Sequence, residues 1–355
     1  MILSQLPPPA NLSPRPFICE ILETPAGPVP RIHTRTTARD HWGTVLARSG
    51  IRRKGYRVEP GLYAVGKPHD QSEVLVTSNY KLTFDRVRRA LDGLDLWLLV
   101  LETQGINVWC AAGKGTFGTV ELISRIHETG LARQVSHRRI ILPQLGATGV
   151  NAHQVKTDSG FRVVYGPIDC RQIPAFLAQG RKAAPEMRHL SFNVWDRLIL
   201  IPVELRISLK PALMGGLAAL LLSGIGPGIF SLSAAMERGP KAVTALILGI
   251  LSGAALVPAL LPLIRVKSFA LKGLICGLVL GLIPTLLGKG SAPLETSALV
   301  LFTMVISSFL AMNFTGATPF TAPSGVEKEM KQYMPVQLAG LVLAAGLWIY
   351  TGVCP

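Results

Sequence analysis

Charge is scarce in this 355-residue chain, where Asp, Glu, Lys and Arg make up 16% of residues, against about 25% in an ordinary soluble domain. With 49% hydrophobic residues and a mean hydropathy of +0.39, this excludes a disordered chain and points to a membrane protein. Cysteine is sparse and odd in number: Cys19, Cys110, Cys170, Cys276 and Cys354 are scattered, with no CxxC pair. A disulfide scaffold is therefore excluded, a reducing compartment is the simplest expectation, and the chain has no iron–sulfur cluster or zinc ribbon of its own. Residues 5–16 are Pro-rich and lack a basic region followed by an apolar run, so a cleaved signal peptide is not expected. Acidic residues are outnumbered, giving a net charge of +15, with 28 basic against 17 acidic residues in 1–210. The basic residues are spread and not interleaved with aromatics, which argues against a nucleic-acid partner.

Long hydrophobic runs fill the remainder. Candidate spans are 212–235, 242–264, 269–287, 296–314 and 335–353, each about the 20 residues needed to cross a bilayer. In the third, Lys272 is expected to snorkel. Arg206, Lys210, Arg265, Lys267, Lys272, Lys328 and Lys331 fall on one side, and Arg238, Lys241 and Lys289 on the other. The excess of basic residues places the N-terminal region in the cytoplasm and the C-terminus outside a multi-pass cytoplasmic (inner) membrane protein. No ionisable residue is expected at mid-depth, as an ion pathway would need. The spans thus read as an anchor or docking platform, or as a conduit for a small neutral or thiol-bound substrate.

Residues 1–70 read as an extended arm with short strands, in which Arg52, Arg53 and Lys54 form a basic run that reads as a solvated face beside a membrane, with attraction of anionic lipid or nucleic acid as the alternative. From Glu73 strand and helix alternate four times. Val74 to Val76 are apolar, Phe84, Val87 and Leu91 recur at helical spacing, and 94–101 is nearly continuous in apolar residues, as a strand buried on both faces would be. Further strands are expected at 139–142 and 161–165, with helices around Leu122 to Ile126, over 150–157 and over 173–178. The expected fold is an α/β Rossmann-like domain with a parallel sheet over 71–185, then a linker over 186–211 and an α-helical transmembrane domain of five spans over 212–355.

The loop after the central strand carries the chemistry. Gly105 to Thr119 reads GINVWCAAGKGTFGT. It is not a P-loop, since Val108 stands where the first Gly belongs and Gly115 where Ser or Thr belongs. Gly113 to Gly118 fits GxGxxG, but about ten residues after its strand, whereas a dinucleotide fingerprint follows its strand directly. A short capped helix remains. Asn107 can accept from the N–H of Trp109 or Cys110, and Gly113 can stop the turn in the left-handed conformation. Cys110 then lies in the first turn, where free amides and the helix dipole favour a thiolate, with Trp109 and Lys114 beside it. A buried cysteine in a tight turn is the alternative.

The stretch NVWCAAGK followed by GTFGT resembles the cap-helix motif of the mercury-methylating corrinoid proteins, the HgcA family. VLVTSNYKLTFD, RRIILPQLGATGVNAHQVK and FRVVYGPID resemble the corrinoid-binding domain of the corrinoid iron–sulfur protein large subunit. Five spans after that domain match the mercury family in layout. The resemblance implies a cobalamin-type corrinoid with its own base displaced and the Cys110 thiolate as axial ligand to cobalt. A soft anionic thiolate favours the higher cobalt oxidation state, which suits release of a methyl group to Hg(II) as methylmercury. It also implies a ferredoxin-like electron donor with two [4Fe–4S] clusters and a methyltetrahydrofolate-linked methyl donor.

By geometry the strand-end loops should line the corrin. The expected cofactor-binding residues are thus Thr77, Ser78, Asn107, Val108, Trp109, Cys110, Ala111, Ala112, Gly113, Lys114, Gly146, Gly149 and Gly166. No histidine lies in the DxHxxG context of other corrinoid enzymes, and Cys170 is either a second pocket thiol or a structural one. The expected function is a membrane-anchored corrinoid methyltransferase acting on Hg(II). Two alternatives are a methyl carrier of the acetyl-CoA pathway type, for which neither an axial Cys nor a membrane tail is required, and a non-catalytic nucleotide-binding docking subunit.

Overall fold

The computed structural model describes residues 16–51, 53–289, 292–318 and 323–354. Residues 1–15, and Arg52 of the basic run, lie outside the described residues. The chain divides into two units, one comprising 1–47 and 51–190, the other 48–50 and 191–355.

The first unit is built on a seven-stranded sheet in the order β1-β2-β3-β5-β4-β6-β7, the strands being β1 (Ile18–Thr24), β2 (Gly27–Ile32), β3 (Gly61–Val65), β4 (Val74–Ser78), β5 (Leu96–Leu101), β6 (Arg139–Leu142) and β7 (Arg162–Tyr165). The last four pair in parallel as β5-β4-β6-β7. Strand β3 runs antiparallel to β5, and β1 antiparallel to β2. The sheet is therefore mixed rather than wholly parallel. Residues 18–65 contribute three of its strands, which short Pro- and Gly-rich segments such as Gly27 to Pro30 conceal from any periodicity reading.

The parallel strands are joined by helices α2 (Lys81–Ala90), α3 (Val108–Gly113), α4 (Thr119–Glu128), α5 (Leu131–Gln134) and α6 (Ala152–Ser159), while α1 (Ala38–Arg48) precedes β3 and α7 (Ile173–Ala178) follows β7. All six residues of β5 are buried. Their alternation sends Trp97, Leu99 and Leu101 into one core with Phe117, Leu122 and Phe161. Leu96, Leu98 and Val100 enter a second core with Phe84, Leu91 and Phe176. Each such aromatic contributes about 1.5–3 kcal/mol by burial.

Among the described residues of this unit, charge is buried at one place. Arg88 is fully buried, donating to Asp85 at 2.7 Å, to Asp40 at 2.8 Å and to the carbonyls of His33 and Arg35. Lys81 bridges the same two carboxylates. Burial alone would raise the Asp40 carboxyl, but Lys81, the Thr37 amide and Arg88 outweigh it and hold that group well below the usual carboxylate range.

Among the described residues, the second unit contains five helical segments long and apolar enough to cross a membrane: Val194–Ser223, Leu232–Leu260, Phe269–Leu287, Pro293–Ala317 and Ser324–Val353. Their helices are α8 (Val194–Leu198), α9 (Ile201–Ser223), α10 (Leu232–Leu251), α11 (Val257–Leu260), α12 (Phe269–Pro284), α13 (Pro293–Phe314) and α14 (Pro323–Val353). The first span differs from the expected 212–235. It stops at Ser223 because Gly224, Gly226, Pro227 and Gly228 break the helix, and a small hairpin of β8 (Ile225–Gly226) and β9 (Ile229–Phe230) intervenes before Ser231 caps α10. Arg238, expected in a loop, is buried in the second turn of α10, paired with Glu295 at 3.2 Å and stacked 4.2 Å from the Trp348 ring. Lys272 does not snorkel: it is buried, with Nζ donating to the carbonyls of Leu261 and Ile264, which the chain leaves free where α11 ends.

Candidate functional site

Because β5, β4, β6 and β7 are parallel, their C-terminal ends share one edge, and the loops leaving them form a cluster. After Leu101 the chain turns through Gln104 (φ 58°) and Gly105 (φ 68°), both left-handed. Asn107 then begins α3 from extended backbone, its Oδ1 accepting from the Cys110 N–H at 2.9 Å. That cap satisfies one of the free amides of the first turn. Gly113 is the last helical residue and is not left-handed. The left-handed position is Gly115, at φ 78°, so the turn runs two residues further than the sequence suggested. The Ala111 carbonyl gathers the N–H groups of Lys114, Thr116 and Phe117, which closes it.

Helix α3 is short, but its two faces differ sharply. Val108, Ala111 and Ala112 are buried against the first core, whereas Trp109 and Cys110 are half-buried and Gly113 and Lys114 exposed. The thiol therefore faces away from the sheet and is accessible. Gly149 lies directly beneath: a Cβ there would meet the Phe117 carbonyl at 2.2 Å and the Ala112 Cα at 2.9 Å. A Cβ at Gly146 would meet the Phe117 ring at 2.5 Å. Both glycines are thus required by the chain's own close packing. Gly149→Val is expected to push α3 off the sheet and lower stability by about 1–3 kcal/mol, as overpacking does, read as a lower thermal midpoint and faster labelling of Cys110 by a thiol reagent.

Not every expected site residue meets at α3. Ser78 shares a face with Val74, Val76 and α3, while Thr77 alternates to the second core. Gly166 also faces that side, a Cβ there meeting Ile141 at 3.0 Å, with Phe176 nearby. The Oγ atoms of Thr77 and Ser78 are buried and have no hydrogen-bond partner among the described residues. Cys170 packs on the second face, its Sγ 3.6 Å from the Arg86 carbonyl, so the two thiols do not meet. Burial and the Asp169 charge push the Cys170 thiol up, against the opposing pull of Arg86 and Arg171. Burial also raises the Tyr165 hydroxyl, which donates to the Val150 carbonyl at 3.4 Å. Among the described residues no group of three or more His, Cys, Asp and Glu is placed to hold a metal ion.

The organising residue of the edge is Asn79, directly after β4. Fully buried, its Oδ1 accepts from the Thr103 N–H, the Thr103 hydroxyl and the Gly105 N–H, and its Nδ2 donates to Glu102 at 2.9 Å. It ties the end of β4 to the loop that carries α3. The signal available in the sequence was an Asn directly after an apolar strand, which is also ordinary turn chemistry.

The family described as CO dehydrogenase/acetyl-CoA synthase delta subunit matches residues 51–177, a span that contains this entire edge. Among curated proteins, the chain is 39% identical over 149 residues to the acetyl-CoA decarbonylase/synthase complex subunit gamma of Methanocaldococcus jannaschii, covering 41% of this chain and 27% of that protein. The corresponding subunits of Methanopyrus kandleri (35% over 127 residues, 35% and 27% covered) and Archaeoglobus fulgidus (34% over 123 residues, 34% and 26% covered) are similar over the same order of length. The chain spans about a quarter of the length of these relatives.

These matches correct the resemblance drawn from NVWCAAGK. The relatives are acetyl-CoA decarbonylase/synthase subunits, not mercury-methylating proteins. Mercury methylation, Hg(II) as substrate, the ferredoxin-like donor and the methyltetrahydrofolate-linked donor are therefore withdrawn, together with the assignment as a mercury methyltransferase. The reason is physical as well as statistical. A cap, a thiol and a stop over eight residues are what any short helix presenting a ligand at a strand edge needs, whereas the matched segment weighs the whole α/β framework.

Proposed function

We propose that this chain is a membrane-anchored corrinoid methyl carrier of the acetyl-CoA-pathway type, with a Rossmann-like corrinoid-binding region formed by the parallel strands. The observation that carries the reading is the segment 51–177 shared with acetyl-CoA decarbonylase/synthase subunits, which contains the strand-end edge and the Asn107-capped helix with Cys110. The residues fit a corrinoid. The buried Ser78 hydroxyl, on the α3 face and without a hydrogen-bond partner among the described residues, offers a polar group at the edge, and the close packing at Gly146 and Gly149 holds α3 against the sheet with Cys110 half-buried on its outer side. A bound corrinoid supplies a cobalt centre able to carry a methyl group.

The protein's own part is positional and electronic. Asn107 fixes the first turn, Asn79 fixes the loop before it, and the Cys110 Sγ as thiolate is a soft donor for a late transition metal. Trp109, half-buried beside it, adds apolar surface. The second unit would anchor this region, and the excess of basic residues at Arg206, Lys210, Arg265, Lys267, Lys328 and Lys331 supports a cytoplasmic position for it, with the C-terminus outside. Association with other subunits of an acetyl-CoA-forming complex follows from the same reading.

The test is anaerobic purification in detergent with added corrinoid, followed by cobalt analysis and an absorption spectrum. An equimolar, coloured, cobalt-containing protein is expected, and a colourless protein carrying nucleotide would overturn the reading. Asn107→Ala is expected to cost about 1 kcal/mol of capping. It should retain cobalt while weakening the spectral signature of the Cys110 thiolate.

A further inference from the structure

The two faces of helix α1 have opposite chemistry. On the inner face Asp40 enters the buried ion cluster, Ala47 is buried, and a Cβ at Gly43 would meet the Tyr56 hydroxyl at 2.5 Å. The outer face carries Ala38, Trp42 and Val45, spaced i, i+4 and i+7. Trp42 is 64% exposed and Val45 51%, and Ile51 just beyond the helix is exposed as well. Arg39 and His41 flank this apolar stripe, both exposed. Asp40, the sole acid in residues 38–51, is turned the other way, and the sequence runs on into Arg52, Arg53 and Lys54. A tryptophan stripe bordered by cations, with no acid beside it, has the chemistry of a helix that lies in a membrane interface.

The end of α1 fixes how far this stripe is from the bilayer. Arg48, its last residue, belongs with Ser49 and Gly50 to the second unit. Gly50 stops the helix at φ 78°, and the Ile51 N–H donates back to the Leu46 carbonyl at 2.9 Å, so the turn is closed by its own hydrogen bond. A Cβ at Gly50 would meet Arg206 Cγ at 3.3 Å and Val203 Cγ2 at 3.5 Å, which seats this turn on the start of α9. Helix α9 ends at Ser223. Counting back the about 20 residues that cross the hydrocarbon reaches Glu204, so Val203 and Arg206 stand at its boundary. Val45 lies three residues before Arg48 and Trp42 six, about 4.5 and 9 Å along the helix axis.

We propose that α1 is an interfacial helix, resting on the same bilayer that holds the protein's own spans. Trp42, Val45 and Ile51 enter the headgroup layer, where an indole finds both apolar and polar surroundings. Arg39 and the basic run that follows the helix meet the lipid phosphates. The surface is independent of the corrinoid reading and uses none of its residues.

The test is fluorescence quenching of the full chain in vesicles of equal parts phosphatidylglycerol and phosphatidylcholine. Trp42 is one of five tryptophans, so its emission is the difference between the parent and Trp42→Phe. A lipid spin-labelled in its headgroup is expected to quench that emission at least roughly threefold more than acrylamide in the water, as befits an indole held in the interface. Val45→Glu with Ile51→Glu changes only exposed positions, so it should fold normally and reverse the preference towards acrylamide. Stronger quenching of the parent by acrylamide would make the stripe a solvated face. Protection from both quenchers would mean that residues 1–15 or another protein covers it. Either result overturns the proposal, as would undiminished lipid quenching in the doubly charged variant.

Discussion

Replacing Cys110 by alanine is expected to leave a folded, corrinoid-binding protein whose methyl transfer falls at least roughly a hundredfold, since even outer-shell changes around a metal cost 10–100-fold. The expectation follows from position. Cys110 faces away from the core on a helix held by Asn107 and by the packing of Ala112 on Gly149, so its removal opens no cavity in either apolar cluster. Cys110→Thr is the sharper variant. A hydroxyl keeps much of the size and some polarity but is a poor donor to a soft metal. It should hold corrinoid and show a base-off spectrum without thiolate character. The measurements are cobalt content, an anaerobic absorption spectrum and the rate of methyl transfer to an acceptor. An alanine variant with the parent's rate and spectrum would remove Cys110 from the metal and leave the helix a merely structural turn.

How much of this was legible in the sequence depended on how local the signal was. Strand β6 and helix α7 fall where the apolar pattern put them, because each is a short apolar run bounded by turn residues. The Asn107 cap was readable for the same reason: Asn three residues before Cys110 satisfies an amide within a single turn. The three strands before residue 66 were not legible as parts of the sheet, since β2 includes two prolines and pairs with β3 across a long separation. Gly115 rather than Gly113 takes the left-handed position because the Ala111 carbonyl can gather three N–H groups only if the turn runs on, a tertiary closure no spacing rule encodes. The division of Thr77 from Ser78 between two faces follows from strand alternation, but only once β4 is known to be buried on both sides. Asn79 was the costliest omission. Its four side-chain bonds join segments more than twenty residues apart, and nothing adjacent to it in sequence announces them.

The largest stability effect is expected at Arg88, far from any proposed ligand. Its guanidinium is fully buried and makes bonds to Asp85, Asp40 and two backbone carbonyls, while Lys81 serves the same carboxylates. The four side chains form a neutral set. Removing Arg88 leaves one uncompensated negative charge, a vacated volume and two carbonyls without that donor. Arg88→Met keeps much of the bulk yet should still destabilise by about 3–5 kcal/mol, the usual cost of breaking a buried pair from one side. Thermal unfolding of the detergent-solubilised chain, followed by circular dichroism, measures this, and a midpoint within a degree or two of the parent's would refute it. The same cluster sets an acid limit. Asp40 is depressed in the folded state, so its contribution is complete above the unfolded carboxylate value of about 3.9 and is lost as pH falls through the folded one. The parent chain should therefore lose stability progressively below about pH 4. In Asp40→Asn that contribution is already missing at neutral pH, so the variant should start less stable and show a shallower decline on acidification. If parent and variant declined in parallel, the stabilisation would reside elsewhere than in the ionised Asp40 held by Lys81 and Arg88.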